Sequence, residues 1–180
     1  HNPWNYNGFK LATGYSRTTE ANEVQEIRKI TEEENFFKPS APGGIETLGE
    51  SARKSFREDY CHDVLKRVQI KKRFKVVVDA GMGTTGLFNP EILKRAGCEV
   101  VGKNLEADGR FPLGMPDPTA TVVMERVKKS VLEEKADLGV AFDGDGDRIG
   151  VVDAGGNVLW NDVLVAIFAK EILERFPGSK

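Results

Sequence analysis

Between Phe74 and Trp160, short apolar runs alternate with amphipathic ones, and the alternation sets the elements. Phe74–Asp79 (FKVVVD) is an apolar run of strand length followed by a glycine-rich loop. Asn89-Pro90 opens a helix that stops at Gly97; proline suits a first helical turn, where its missing N–H would have had no partner. Glu99–Val101 forms the core of a second strand, and Asp108–Pro118 is a loop rich in Gly and Pro. A helix is predicted over Thr121–Glu134, a third strand over Leu138–Phe142 and a fourth over Ile149–Asp153. Ala154-Gly155-Gly156 then turns the chain into a last short strand, Asn157–Trp160. Strand–helix–strand–helix–strand implies parallel strands joined by right-handed crossovers. Only six residues separate Phe142 from Ile149, too few for a parallel crossover, so the fourth strand must run antiparallel. The expectation is an α/β domain around a mixed four-stranded sheet, three strands parallel and one antiparallel, flanked by helices.

Outside this region the pattern is less regular. Gly8–Thr13 reads as a short strand, and Glu20–Glu33 as a helix with Val24, Ile27 and Ile30 on one face. Lys38–Gly44 (KPSAPGG) holds two prolines and two glycines in seven residues and reads as a linker. Thr47-Leu48-Gly49-Glu50 has capping-box spacing. The helix predicted after it, to about Val68, repeats Ala52, Phe56, Tyr60, Val64 and Val68 every four residues. At the other end, Asp162–Phe176 is an amphipathic helix whose apolar face (Val163, Ile167, Phe168, Ile172, Leu173) needs something to pack against. The expectation is a chain cut at both ends.

Composition narrows the class. A chain of 180 residues at 39% apolar content suffices for one full domain with pieces of others. Its 26 basic and 28 acidic residues give a net charge of −2 and a pI near 5.8, without the basic stripe of a nucleic-acid binder. There is no apolar run of 18 residues, mean hydropathy is −0.38, and no membrane association is expected. Cys61 and Cys98 stand 37 residues apart outside any Cys/His cluster, which suits a reduced, cytoplasmic protein; no signal-peptide pattern is visible.

The densest chemistry is Asp143–Arg148, DGDGDR, directly after the predicted strand LGVAF. Carboxylates at i, i+2 and i+4, separated by glycines, can be wrapped to converge on one point. Three such oxygens suit a hard divalent cation such as Mg²⁺, completed by phosphate oxygen or water. A calcium EF-hand is excluded, because its positions six and twelve would hold Arg148 and Ala154 in place of Gly and Glu. A phosphotransferase that is itself phosphorylated on Asp143 stays open from this loop alone.

A second loop, Asp79–Gly86, contains G-x-G-x-x-G at Gly81, Gly83 and Gly86. A dinucleotide-binding helix would start inside that motif, whereas here the helix starts beyond it, at Asn89. No acid for a ribose stands at the end of the second strand. A tight strand-to-helix connection is the better reading. Both loops follow parallel strands and so lie at the edge where open α/β sheets place ligands.

The chain opens with His1-Asn2-Pro3 and Tyr6-Asn7-Gly8-Phe9-Lys10, turn-prone polar residues that suit a binding loop or, equally, a plain surface loop. Lys10, carried on a strand, would suit a proton donor or phosphate clamp if buried near a second cation. HNPWNYNGFK and, about 130 residues later, DGDGDR together resemble the α-D-phosphohexomutases, in their phosphomannomutase/phosphoglucomutase branch. FKVVVDAGMGTTG, DGRFPLGMPDP and ADLGVAFDGDGDRIGVVDAGG are similar to that family's second domain. The presence of Phe9 between Gly8 and Lys10 points away from the phosphoglucosamine mutases, where Ile is expected.

The resemblance implies a four-domain enzyme with phosphoglucomutase-like α/β domains. Residues 1–42 would be the end of the first domain, 43–156 the second with its metal loop, and 157–180 the start of the third. It further implies that Asp143, Asp145 and Asp147 bind Mg²⁺, that Arg148 steadies phosphate or sugar hydroxyl, and that His1 and Lys10 flank a phosphoserine immediately before His1. The implied reaction interconverts hexose 1-phosphate and hexose 6-phosphate through a bisphosphorylated sugar. The expected partners are hexose phosphates and the remaining domains of the same polypeptide. A chain without the serine is expected to be inactive alone, and a non-catalytic metal or phosphosugar module is the alternative.

Overall fold

The structure, a computed structural model, describes residues 5–6, 8–14, 17–37 and 55–179. These fall into two compact units divided between Ser55 and Phe56. In the first, β1 (Ala12–Thr13) pairs antiparallel with β2 (Arg17–Thr18) in the register Ala12↔Thr18 and Thr13↔Arg17. The strand predicted from Gly8 is therefore only two residues long. A ladder extends as far as its partner does, and β2 offers two residues. Lys10, expected on that strand, precedes it and is exposed. Next, α1 (Ala21–Glu32) starts where Glu23 reaches back to accept the Glu20 N–H at 2.7 Å. No α1 residue is buried, and its predicted apolar face, Val24, Ile27 and Ile30, stays 42–45% exposed. The Lys38–Gly44 linker, the capping-box residues Thr47–Glu50, and His1 lie outside the described residues.

The second unit begins with α2 (Arg57–Arg67), which starts only after Phe56, a residue expected inside the helix; Ala52 lies outside the described residues. It continues through β3 (Lys75–Asp79), a 3₁₀ turn at Thr84–Leu87, α3 (Asn89–Arg95), β4 (Glu99–Lys103) and α4 (Thr121–Glu134). Then come β5 (Leu138–Phe142), β6 (Ile149–Asp153), β7 (Val158–Leu159) and α5 (Asn161–Arg175). The sheet order is β4-β3-β5-β6-β7. β4, β3 and β5 are parallel, and β6 turns back against β5 with Phe142 opposite Ile149, as the six-residue connection required. The sheet has five strands where four were expected, because β7 folds back onto β6 (Val158 against Val152) and extends the same ladder.

One sheet face packs against α4, which buries Val123, Met124, Val127 and Val131 over Val77, Ala141 and Val152. Contact is close at Gly139, where a Cβ would fall 2.4 Å from Val131 and 2.6 Å from Val127. The other face carries Val76, Val78, Cys98 and Val140. It lines an apolar cavity of about 700 Å³ together with Tyr60, Val64 and Leu93. Cys61 and Cys98 are buried free thiols. Among the described residues no helix is long and apolar enough to cross a membrane.

Candidate metal centre

β3 and β5 are parallel neighbours with Asp79 opposite Ala141, so the loops that leave their carboxyl ends emerge side by side. After β5 the chain turns sharply around one carboxylate oxygen. The Asp143 Oδ1 accepts the Gly146 N–H at 3.0 Å and the Arg148 N–H at 3.1 Å, and Asp143 is fully buried. Glycine is required at 146, where φ is +80° and a Cβ would fall 2.3 Å from the Thr85 Cγ2. The wrap gathers the three aspartates: Asp143, Asp145 and Asp147 each offer an oxygen within 4.8 Å of the others, the first buried and the other two exposed.

The electrostatics are those of a site short of positive charge. Asp147 titrates above the ordinary carboxylate range, first because it shares a hydrogen bond with Asp143, then through desolvation and through repulsion by Asp145 and Asp143. Arg148 partly offsets this, with its Nε 3.6 Å from Asp143 Oδ2 and 3.8 Å from Asp147 Oδ1. Three hard carboxylate oxygens, with no imidazole or thiolate among them, form a donor set for a hard divalent cation and a poor one for zinc.

The glycine loop holds up this arrangement. Gly144, between the first two aspartates, accepts at its carbonyl both the Thr84 N–H (3.0 Å) and the Thr84 hydroxyl (3.1 Å). Gly83 makes the approach possible, since a Cβ there would sit 2.7 Å from that same oxygen. Behind the loop lies Asp79, 2% exposed, whose Oδ1 accepts the Gly81 N–H at 2.8 Å and the Asn104 amide at 2.9 Å. Its Oδ2 takes the Arg126 Nε at 2.7 Å. The backbone N–H groups from Ala80 to Thr84 are all committed, to Lys103, Asp79, Asn104, Ala80 and Gly144 in turn. A pyrophosphate would find no amide free along that stretch, and the dinucleotide reading of G-x-G-x-x-G fails on this count.

Beside the triad, Met115, Pro116, Asp117 and Arg148 line a cavity of about 380 Å³. Asp117 is held below its ordinary value by the backbone and hydroxyl of Thr119, against the opposing effect of burial, with smaller contributions from the Arg148 charge, which lowers it, and from Asp143, which raises it. The Gly- and Pro-rich loop thus brings an anion and the mouth of a cavity to the aspartate loop.

Residues 58–156, which hold β3 to β6 and both loops, match the family model described as phosphoglucomutase/phosphomannomutase, alpha/beta/alpha domain II. The chain belongs to the phosphoglucomutase/phosphomannomutase family. A phosphomannomutase/phosphoglucomutase of Pseudomonas aeruginosa is 36% identical across 99% of this chain, and a phosphoglucomutase of Neisseria meningitidis serogroup A is 33% identical across all of it. A probable phosphoglucosamine mutase of Methanothermobacter thermautotrophicus is 36% identical over 96%. Among solved structures, a phosphoglucomutase/phosphomannomutase family protein of Burkholderia thailandensis superimposes with a TM-score of 0.84 at 32% identity, over 99% of this chain and 37% of its own. The chain spans 37–38% of the length of the curated relatives it matches first.

Within this family domain the structure brings Asp143, Asp145, Asp147 and Arg148 together. Lys10 lies in the other compact unit and is exposed; His1 is outside the described residues. Sequence reasoning passed over Asp79, Thr84, Asn104 and Arg126. The only trace of them in the sequence is the polar residue ending an otherwise apolar strand, VVVD.

Proposed function

We propose that this chain is the metal-binding part of a Mg²⁺-dependent phosphohexomutase that interconverts hexose 1-phosphate and hexose 6-phosphate, of mannose or glucose. The reaction would run through a phosphoserine and a bisphosphorylated sugar. The convergence of Asp143, Asp145 and Asp147 at the carboxyl edge of the sheet, with Arg148 beside them, carries this reading. The names of the relatives supply the reaction class. In the same reading, residues 1–42, 43–156 and 157–180 belong to three successive domains, and the polypeptide's remaining domains complete the substrate site.

The three aspartates would hold the cation, which when bound neutralises charge on a transferring phosphoryl group. Arg148 would orient a phosphate oxygen or sugar hydroxyl at the rim of the 380 Å³ cavity. His1 and Lys10 would flank the phosphoserine, with the Lys10 Nζ able to give or take a proton. The Asp143 oxygens are already engaged by the amides of Gly146 and Arg148 and by the Arg148 guanidinium, which favours a ligand and disfavours a nucleophile at this position.

Labelling the full-length protein with ³²P-hexose 1-phosphate and mapping the phosphate tests the proposal. Label on the serine immediately before His1 is expected; an acyl-phosphate on Asp143 would overturn it. Asp145→Asn and Asp147→Asn should each weaken Mg²⁺ binding at least about tenfold by calorimetry, since each removes one anionic ligand.

A further inference from the structure

We infer that Thr84 is a positioning residue for the aspartate triad, and that the glycine loop serves this chain as the support of its metal loop. The inference rests on reading the triad as a cation site. Ligands set two residues apart keep their spacing only if the backbone between them is held. Gly144 is the residue between Asp143 and Asp145, and its carbonyl receives two donors from one residue, the Thr84 N–H and the Thr84 hydroxyl at 3.0 and 3.1 Å. The contact continues on both sides. Gly83 lies close enough to Gly144 that a Cβ would strike its oxygen at 2.7 Å, and the Thr85 methyl fills the space over Gly146.

The support is itself fixed from behind. Asp79 ties the start of the loop to Asn104 and Arg126 through its two oxygens, and Met82 N–H reaches the Asn104 carbonyl at 2.8 Å. Asn104 follows β4 and Arg126 lies on α4, so the chain of contacts runs from the sheet and its covering helix, through Asp79 and Thr84, to the peptide that separates two ligands. Groups one shell out from a metal orient the ligands and set affinity.

The test compares Thr84→Val, which keeps the N–H contact and loses the hydroxyl, with Thr84→Ser, which keeps both. Mn²⁺ serves as the probe, followed in the full-length protein by electron paramagnetic resonance. Thr84→Val should bind Mn²⁺ about tenfold more weakly and show a changed bound-ion spectrum, while Thr84→Ser stays within about twofold of the parent. Parent-like affinity in Thr84→Val overturns the inference. So does an equal loss in both variants, which would report a general packing role. Asp145→Asn is the control for the site: if it binds Mn²⁺ as the parent does, the ion is elsewhere, and the cation reading of the triad falls together with this one.

Discussion

Replacing Arg126 by Met leaves the apolar stem in place and removes the guanidinium from a buried carboxylate. Asp79 is 2% exposed, and the Arg126 Nε donates to its Oδ2 at 2.7 Å; the Gly81 N–H and Asn104 amide both serve Oδ1. Removing one member of a buried ion pair costs about 3–5 kcal/mol, mainly because the remaining charge stays desolvated. The Arg126 side chain is 28% exposed, so water can reach part of the space it leaves, and the lower end, about 3 kcal/mol, is expected. At roughly 3–4 °C per kcal/mol for a domain of this size, Tm should fall by about 10 °C. Urea unfolding followed by circular dichroism measures the change directly. The double variant Asp79→Asn/Arg126→Met, which also removes the charge, should recover about 1–2 kcal/mol relative to Arg126→Met. A loss below about 1 kcal/mol for Arg126→Met, or a double variant as unstable as the sum of its singles, would refute the claim that a desolvated charge governs this edge of the sheet.

Gly86→Ala would place a Cβ 2.0 Å from the Leu105 carbonyl oxygen, so a loss of at least about 1–3 kcal/mol is expected; an unchanged urea midpoint would show that the loop yields there. Asp108 is held down to about 2 by its hydrogen bonds from Arg110. Its lowered value stabilises the fold above the ordinary carboxylate range and ceases to do so as pH falls from about 4 to about 2, so Asp108→Asn should flatten the acid limb of stability against pH within that window.

The elements legible in the sequence are those whose pattern is local. The bounds of α4, β5 and β6 agree with Thr121–Glu134, Leu138–Phe142 and Ile149–Asp153 to the residue, because apolar spacing, a turn and a six-residue gap fix them without reference to distant parts. The aspartate triad was legible for the same reason, since its three members occupy five consecutive positions. The support beneath it was not. Asp79 meets Asn104 and Arg126 across 25 and 47 residues, and Thr84 meets Gly144 across 60. No periodicity marks such pairs; they follow from the order in which parallel strands lie side by side. The predicted strand at Gly8–Thr13 was overextended because its length depends on a partner, and β2 supplies two residues.

The hairpin that joins β5 to β6 has one further consequence. β5 is bonded on both sides, to β3 and β6, so its amides should be among the slowest in the molecule to exchange with deuterium. The two exposed aspartates, by contrast, sit on a short stretch between two such strands. An arriving ion would slow exchange across Gly144–Asp147 while the strands on either side stay silent. The sheet thereby acts as a built-in reference trace, against which occupancy of the loop can be followed in time without a label, a substrate or turnover.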